Sequence, residues 1–401
     1  MSSHYLHRLA LLCLAVFSLA DGRVADSPSA AAGGAKADLV VHEWGTFTSV
    51  AGRDGAALSW RPLSFESDLP SFVYSIDQGA TWLARPLRYP SKSGMYVTVR
   101  METPVLYFYA EEETAVSVKV GFPGGKITEW YPQARAAGRE IDWGQFQVLP
   151  GAQVGLAHDR RENHYYPARD TDAALVRVGG DRKTEHEKFL FYRGVGNFAL
   201  PLSVRLEGGR VAVRNAHAGG VSKVILFERR GGRAGYVVRV SPRNEESVER
   251  PALAGGVESL RGEMKAMLVS HGLYEREAEA MLNTWRDSWF EEGLRVFYVL
   301  PRQAADAILP VTIDPRPREF ARVLVGRAEL ITPEMERHVA GQLARLEETS
   351  TDARDAALEE INKYGRFTET VLGQVSAHAS DERTRQRAER LLKEMRQGGS
   401  R

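Results

Sequence analysis

Eight histidines follow residue 20, and three short segments set them beside carboxylates, the pairing that binds a borderline metal or moves a proton. His42-Glu43 opens the first alternating stretch of the chain. His158-Asp-Arg-Arg-Glu-Asn-His164 is a polar loop with two imidazoles six residues apart, and Glu185-His186-Glu187 precedes a strand. Imidazole and carboxylate ligands with one open position suit zinc or a similar divalent ion and lower the pKa of bound water towards ~7. That is the chemistry of a metal-dependent hydrolase, with His42, His158 and His164 as ligands and Glu43 or Glu102 as base. Glu102 stands between segments that read as buried. A carboxylate there either pairs with an arginine, Arg100 or Arg193, or takes a raised pKa suited to proton transfer. The ion pair is the simpler reading, and each histidine also reads as a solvated loop polar or a sheet-bonded side chain.

The aromatic residues point to a different class of function. Trp44, Trp60, Trp82, Trp130, Trp143, Trp285 and Trp289 all follow the leader, several with tyrosines beside them. A flat apolar ring with a polar tip stacks well on sugars. Trp130-Tyr131 and Trp143 lie near glycine turns and are the candidates for such a platform. They favour an exported binding protein for a glycan or another cell-envelope component, with the metal-dependent hydrolase as the alternative. Trp285 and Trp289 share a helical stripe with Met281 and read as core. A metal-free glycosidase would need two carboxylates at a set separation, which a sequence does not supply.

Several signatures are missing. Gly194-Val-Gly196-Asn-Phe-Ala199 matches the dinucleotide fingerprint in letters, but a strand containing Pro201 follows where the pyrophosphate needs a helix N-terminus. There is no Walker loop, Gly-x-Ser-x-Gly elbow or His-Glu-x-x-His run, and nothing singles out one serine as a nucleophile.

These residues must be positioned mainly by strands. From residue 39 to 240, short alternating segments are broken by glycine turns, including Phe198–Arg205 with Val211–Arg214, and Lys223–Phe227 with Tyr236–Val240. The spacing predicts an antiparallel β-sandwich-like N-terminal domain. Alternation puts His42 and Glu43 on opposite faces of the first strand. Residues 241–256 read as a linker, and 257–330 as an α+β segment with helices around Leu260–Leu268 and Glu275–Phe290 and a strand at Leu294–Leu300. Residues 331–401 are helical, starting behind Thr332-Pro333, a cap followed by a first-turn proline. The fold class is α+β.

The first twenty residues carry a compartment signal. A short basic start ends at Arg8, the uncharged stretch Leu9 to Ala20 follows, and Ser18-Leu19-Ala20 makes a small-residue exit. This is the pattern of a cleavable secretory signal peptide. Twelve such residues span about 18 Å as a helix, against roughly 30 Å for a bilayer core. Residues 21–38, rich in Ala, Gly and Ser, read as a flexible leader. Cys13 is the only cysteine, so cleavage would leave a mature chain without disulfides or thiol ligands. The remaining chain of roughly 380 residues must rely on burial for stability. Its 53 basic and 52 acidic residues become equal once Arg8 is removed, which argues against nucleic-acid or anionic-lipid partners. No later apolar run is long enough to span a membrane.

Two resemblances can be placed on residues. Val41-His-Glu-Trp-Gly-Thr-Phe-Thr48, Met101-Glu-Thr-Pro-Val-Leu-Tyr-Phe108, Phe191-Tyr-Arg-Gly-Val-Gly196 and Thr284-Trp-Arg-Asp-Ser-Trp-Phe290 resemble segments of uncharacterised exported bacterial proteins. That resemblance implies a bacterial, exported chain and supplies no catalytic residue. Ala353–Leu392 resembles a single HEAT-type helical repeat, which would have to dock on the preceding domain to bury its apolar face.

Overall fold

The computed structural model describes residues 38–63, 69–77, 94–160, 163–179, 183–240 and 244–398. The expected export signal, nearly all of the expected leader, Trp82, Arg161 and Glu162 lie outside the described residues.

Strand Val40–Ala51 is the hub. It is buried along almost its whole length, including its polar residues His42, Glu43, Thr46 and Thr48. A strand covered on both faces buries both alternating sets of side chains, and His42, Glu43 and Thr48 each have a partner inside. It pairs antiparallel with Val99–Tyr109 on one side and parallel with Glu319–Leu330 on the other. Around it runs a nine-stranded sheet in the order Arg233–Val240, Lys223–Arg230, Gly293–Val299, Glu319–Leu330, Val40–Ala51, Val99–Tyr109, Leu190–Gly196, Gly125–Tyr131, Tyr74–Ser75.

Two expectations change here. The central pair is parallel, because a strand from the later segment inserts beside the first one. Residues 39–240 and 257–330 therefore share one sheet. The expected linker also contains strand Glu245–Glu249, which pairs with Arg210–Asn215. Its alternation was hidden because Val248 is its one fully buried residue and charged side chains occupy most of the rest.

The sheet is covered on both faces, by different partners. On one face, Val41, Phe47, Phe108 and Val296 share a core with Val116, Val118, Phe146 and Val176 of a six-stranded second sheet. On the other face, Trp44, Tyr107 and Phe297 pack against Met264, Met281 and Trp285 of helices Val257–Ser270 and Glu275–Thr284 and the turn after them. A third core joins Val50, Trp60 and Ile331 to the C-terminal helices Pro333–Arg345, Thr351–Asn362, Thr368–His378 and Glu382–Gly398. The fold is α+β, sandwich-like through its two stacked sheets. The Thr332 hydroxyl accepts from Met335 N at 3.3 Å, and Pro333 follows, as the sequence implies. Among the described residues, no helix is long and apolar enough to cross a membrane.

Gly45 marks the tightest point of the hub. A Cβ there would lie 2.9 Å from the Pro104 Cα, so the neighbouring strand leaves room only for hydrogen. At the same level the ladder slips between Trp44 and Thr46, and Thr103 adopts φ 47°, an outlier for a β-branched residue. This irregularity lies next to Glu102.

Candidate functional site

His42 and Glu43 do project to opposite faces, and each is already engaged. His42 Nδ1 lies 2.7 Å from Glu277 Oε2, under the helical layer. The same carboxylate accepts from the Tyr109 hydroxyl at 2.7 Å and from Tyr274 N at 2.7 Å, closing a capping box at the start of helix Glu275–Thr284. Tyr274 covers the imidazole, with ring centroids 4.5 Å apart, and His42 is fully buried. Glu43 faces the second sheet, where it accepts from the Tyr192 hydroxyl and from Arg322 Nε at 2.5 Å. Arg322 continues to Asp306 at 2.7 Å.

Glu102 is also an ion-pair carboxylate: of the two arginines expected, Arg100 pairs with it, and a third, Arg366, comes closer. Arg366 Nη1 donates to it at 2.7 Å and the Thr48 hydroxyl at 2.5 Å, while Arg100 Nε is 3.9 Å away. Arg193 pairs instead with Glu129, at 2.9 Å. Burial alone would raise the pKa of Glu102. The positive charges of Arg366, Arg100 and Arg327 and the Thr48 hydrogen bond outweigh it and hold the group at about 2. A carboxylate so strongly ionised is a poor general base near neutral pH, which corrects the proton-transfer alternative.

The three candidate metal ligands do not converge. His158 stacks on Tyr166 with centroids 4.1 Å apart, and His164 Nδ1 donates to the Thr284 carbonyl at 2.7 Å beside Trp285. His42 is held by Glu277. Glu185 accepts from Tyr74 and Gln133 N, and Glu187 from Arg169 and Tyr165. Among the described residues, no group of three His, Cys, Asp or Glu side chains is placed to hold a metal ion. The loop at 158–164 uses its two imidazoles on separate aromatic partners, so the zinc expectation finds no ligand set here.

Two of the three rings expected to form the aromatic platform are buried. Tyr131 and Trp143 are each 2% exposed. Trp143 Nε1 donates to the Pro132 carbonyl at 3.1 Å, and Tyr131 packs on Phe72. Trp130 is half-buried and lies nearly parallel to Tyr74. Packing turns Tyr131 and Trp143 inward, where neither ring presents a face to a sugar, while Trp130 projects to the opposite side of its strand from Tyr131.

The fold singles out a serine that the sequence did not. Ser222 follows the Gly219-Gly220 turn and leads into strand Lys223–Arg230, while His271 is the C-cap of helix Val257–Ser270. Ser222 Oγ lies 2.8 Å from His271 Nε2, and His271 Nδ1 lies 2.7 Å from the Met267 carbonyl. A carbonyl can only accept, so Nδ1 carries the proton. In the neutral ring Nε2 is then an acceptor, and the Ser222 hydroxyl donates to it. Gly272, at φ 111°, ends the helix in a left-handed conformation and turns the chain away behind the imidazole. The pair borders an open cleft of about 510 Å³, whose walls include Val221, Leu300, Arg302 and Phe320. Arg302 is anchored by its Nε to Asp306 at 2.9 Å and by Nη1 to the Phe320 carbonyl at 2.7 Å. Arg322 also lines the cleft, and its buried Nη2 has no partner among the described residues. In the sequence, His271 is one of the eight histidines and lies outside the three histidine–carboxylate segments.

Comparison of the chain with protein-family models and with curated proteins finds no match. The functional reading of the cleft rests on its geometry.

Proposed function

We propose that the chain is an exported binding protein whose ligand occupies the Ser222–His271 cleft. The ligand class that suits it is a small amphiphile: a short acyl chain with a carboxylate or ester head. The observation that carries this reading is one cleft lined both by polar side chains, Ser222, His271, Arg302, Glu319 and Arg322, and by the apolar Val221, Leu300 and Phe320. A cleft that mixes apolar walls with anchored polar groups suits a ligand that is itself amphiphilic. Arg302 is held in place before any ligand arrives, so little side-chain freedom is lost on binding. A glycan platform at Trp130, Tyr131 and Trp143 and a metal centre at His42, His158 and His164 have no comparable support, since Tyr131 and Trp143 are buried, Trp130 is half-buried beside Tyr74 and the imidazoles separate.

Calorimetry with the chain lacking residues 1–20 tests this reading, using butyrate and hexanoate as probes. Saturable binding of hexanoate, stronger than butyrate and weakened at least tenfold by Arg302→Ala, is the expected result. Absence of binding for both acids overturns it. The export half of the proposal rests on the basic start, the apolar stretch Leu9 to Ala20 and its small-residue exit. Expression of the full chain in a bacterium should yield a protein outside the cytoplasm whose N-terminus begins after Ala20. An uncleaved cytoplasmic chain refutes export.

A further inference from the structure

We infer that Ser222 is a nucleophile and His271 its general base, so that the cleft hydrolyses carboxylic esters of short acyl chains. This rests on the cleft being the ligand site, and adds chemistry to it. A serine touching a histidine is common on protein surfaces and by itself carries little. Three further features set this pair apart. The second ring nitrogen is committed to the Met267 carbonyl, which fixes the tautomer that base catalysis needs. The 2.8 Å separation of Oγ and Nε2 lies within the range for proton transfer. The pair also opens on a cleft large enough for a substrate rather than on a flat surface.

The steps balance without any added reagent but water. Ser222 Oγ attacks the acyl carbon while its proton passes to His271 Nε2. The tetrahedral intermediate collapses, the C–O bond to the alcohol breaks, and the imidazolium returns that proton to the leaving oxygen. Water then attacks the acyl-serine, giving its proton to Nε2. The Oγ–acyl bond breaks, Ser222 is reprotonated, and the carboxylic acid leaves. The imidazolium formed twice in this cycle sits at the C-terminus of a fourteen-residue helix. There the last carbonyls favour a positive charge, and Met267 O accepts its Nδ1 proton. The carbonyl and the helix end thus do the orienting and stabilising that a carboxylate does in a Ser-His-Asp triad. Met267 acts through the imidazole and is a positioning residue. Of the two arginines that line the cleft, Arg302 is the exposed one and is the cation offered to the developing oxyanion.

Two measurements on the chain lacking residues 1–20 test this: hydrolysis of p-nitrophenyl butyrate, and labelling by a fluorophosphonate located by peptide mass spectrometry. The label should fall on Ser222. Ser222→Ala should remove it and lower hydrolysis by at least about 100-fold with an unchanged circular dichroism spectrum, and His271→Gln should do the same. Ser259→Ala, on an outer turn of the same helix, should keep both the label and the rate. A label elsewhere, or a Ser222→Ala or His271→Gln variant that retains the rate, overturns the inference. Hexanoate binding without hydrolysis would leave the binding proposal standing and remove the catalytic one. Loss of both would remove both.

Discussion

Arg366, in the short turn Gly365–Phe367 of the C-terminal helical layer, donates from Nη1 to the buried carboxylate of Glu102 on strand Val99–Tyr109, at 2.7 Å. The two residues are 264 positions apart. The contact ties the last layer of the fold to the hub of the sheet, beside the strained Thr103 and the close approach at Gly45.

Acid should weaken the protein through this pair. Glu102 is held at about 2 in the fold, below the ~4.3 of an unfolded glutamate. A folded pKa below the unfolded one gives stability that is complete above the unfolded value and is lost as pH falls through the folded value. The window is therefore roughly pH 4.5 down to 2, and the contribution at neutral pH is about 3 kcal/mol. Urea unfolding from pH 6 to 2.5 should show a steeper acid decline for the natural chain than for Glu102→Gln. Parallel curves for the two proteins would remove Glu102 from the acid limb.

Removing His42 should be costly for structure. His42→Ala leaves the Glu277 carboxylate buried with only the Tyr109 hydroxyl and Tyr274 N as partners, and its loss should be about 3 kcal/mol. Because Glu277 caps helix Glu275–Thr284, amide exchange in the first turn of that helix should accelerate most. A stability loss under ~0.5 kcal/mol would argue that the imidazole is not a structural partner.

Trp143 should behave as core. Trp143→Ala empties a large buried volume and leaves the Pro132 carbonyl without its indole donor, so about 4 kcal/mol should be lost in chemical denaturation. A variant with natural stability and altered sugar binding would restore the platform reading.

Gly45→Ala tests the tightness of the hub. The added methyl meets backbone of Pro104 at 2.9 Å rather than a flexible side chain, so the strands themselves must separate. Overpacking of this kind should cost about 2 kcal/mol, read as a drop in melting temperature. An alanine variant as stable as the natural chain would show that the two strands part readily at this level.

The sequence by itself determined what local periodicity and local chemistry determine. Alternating segments specified strands, the change of period after residue 256 specified helices, and Thr332-Pro333 specified a helix start. Alternation also separated His42 from Glu43, because successive side chains of any strand point to opposite faces. Tertiary structure decided which groups meet. The parallel pairing of Val40–Ala51 with Glu319–Leu330 brings Arg322 to Glu43 across 279 positions, and no local rule encodes that register. Tyr131 and Trp143 became core because their strands packed inward, a choice made by the facing sheet and loops rather than by the residues. Ser222 and His271, 49 positions apart, meet only because a strand start and a helix end are packed side by side. A hydrogen bond reaches about 3 Å, and only long-range packing sets distances of that size between remote parts of a chain.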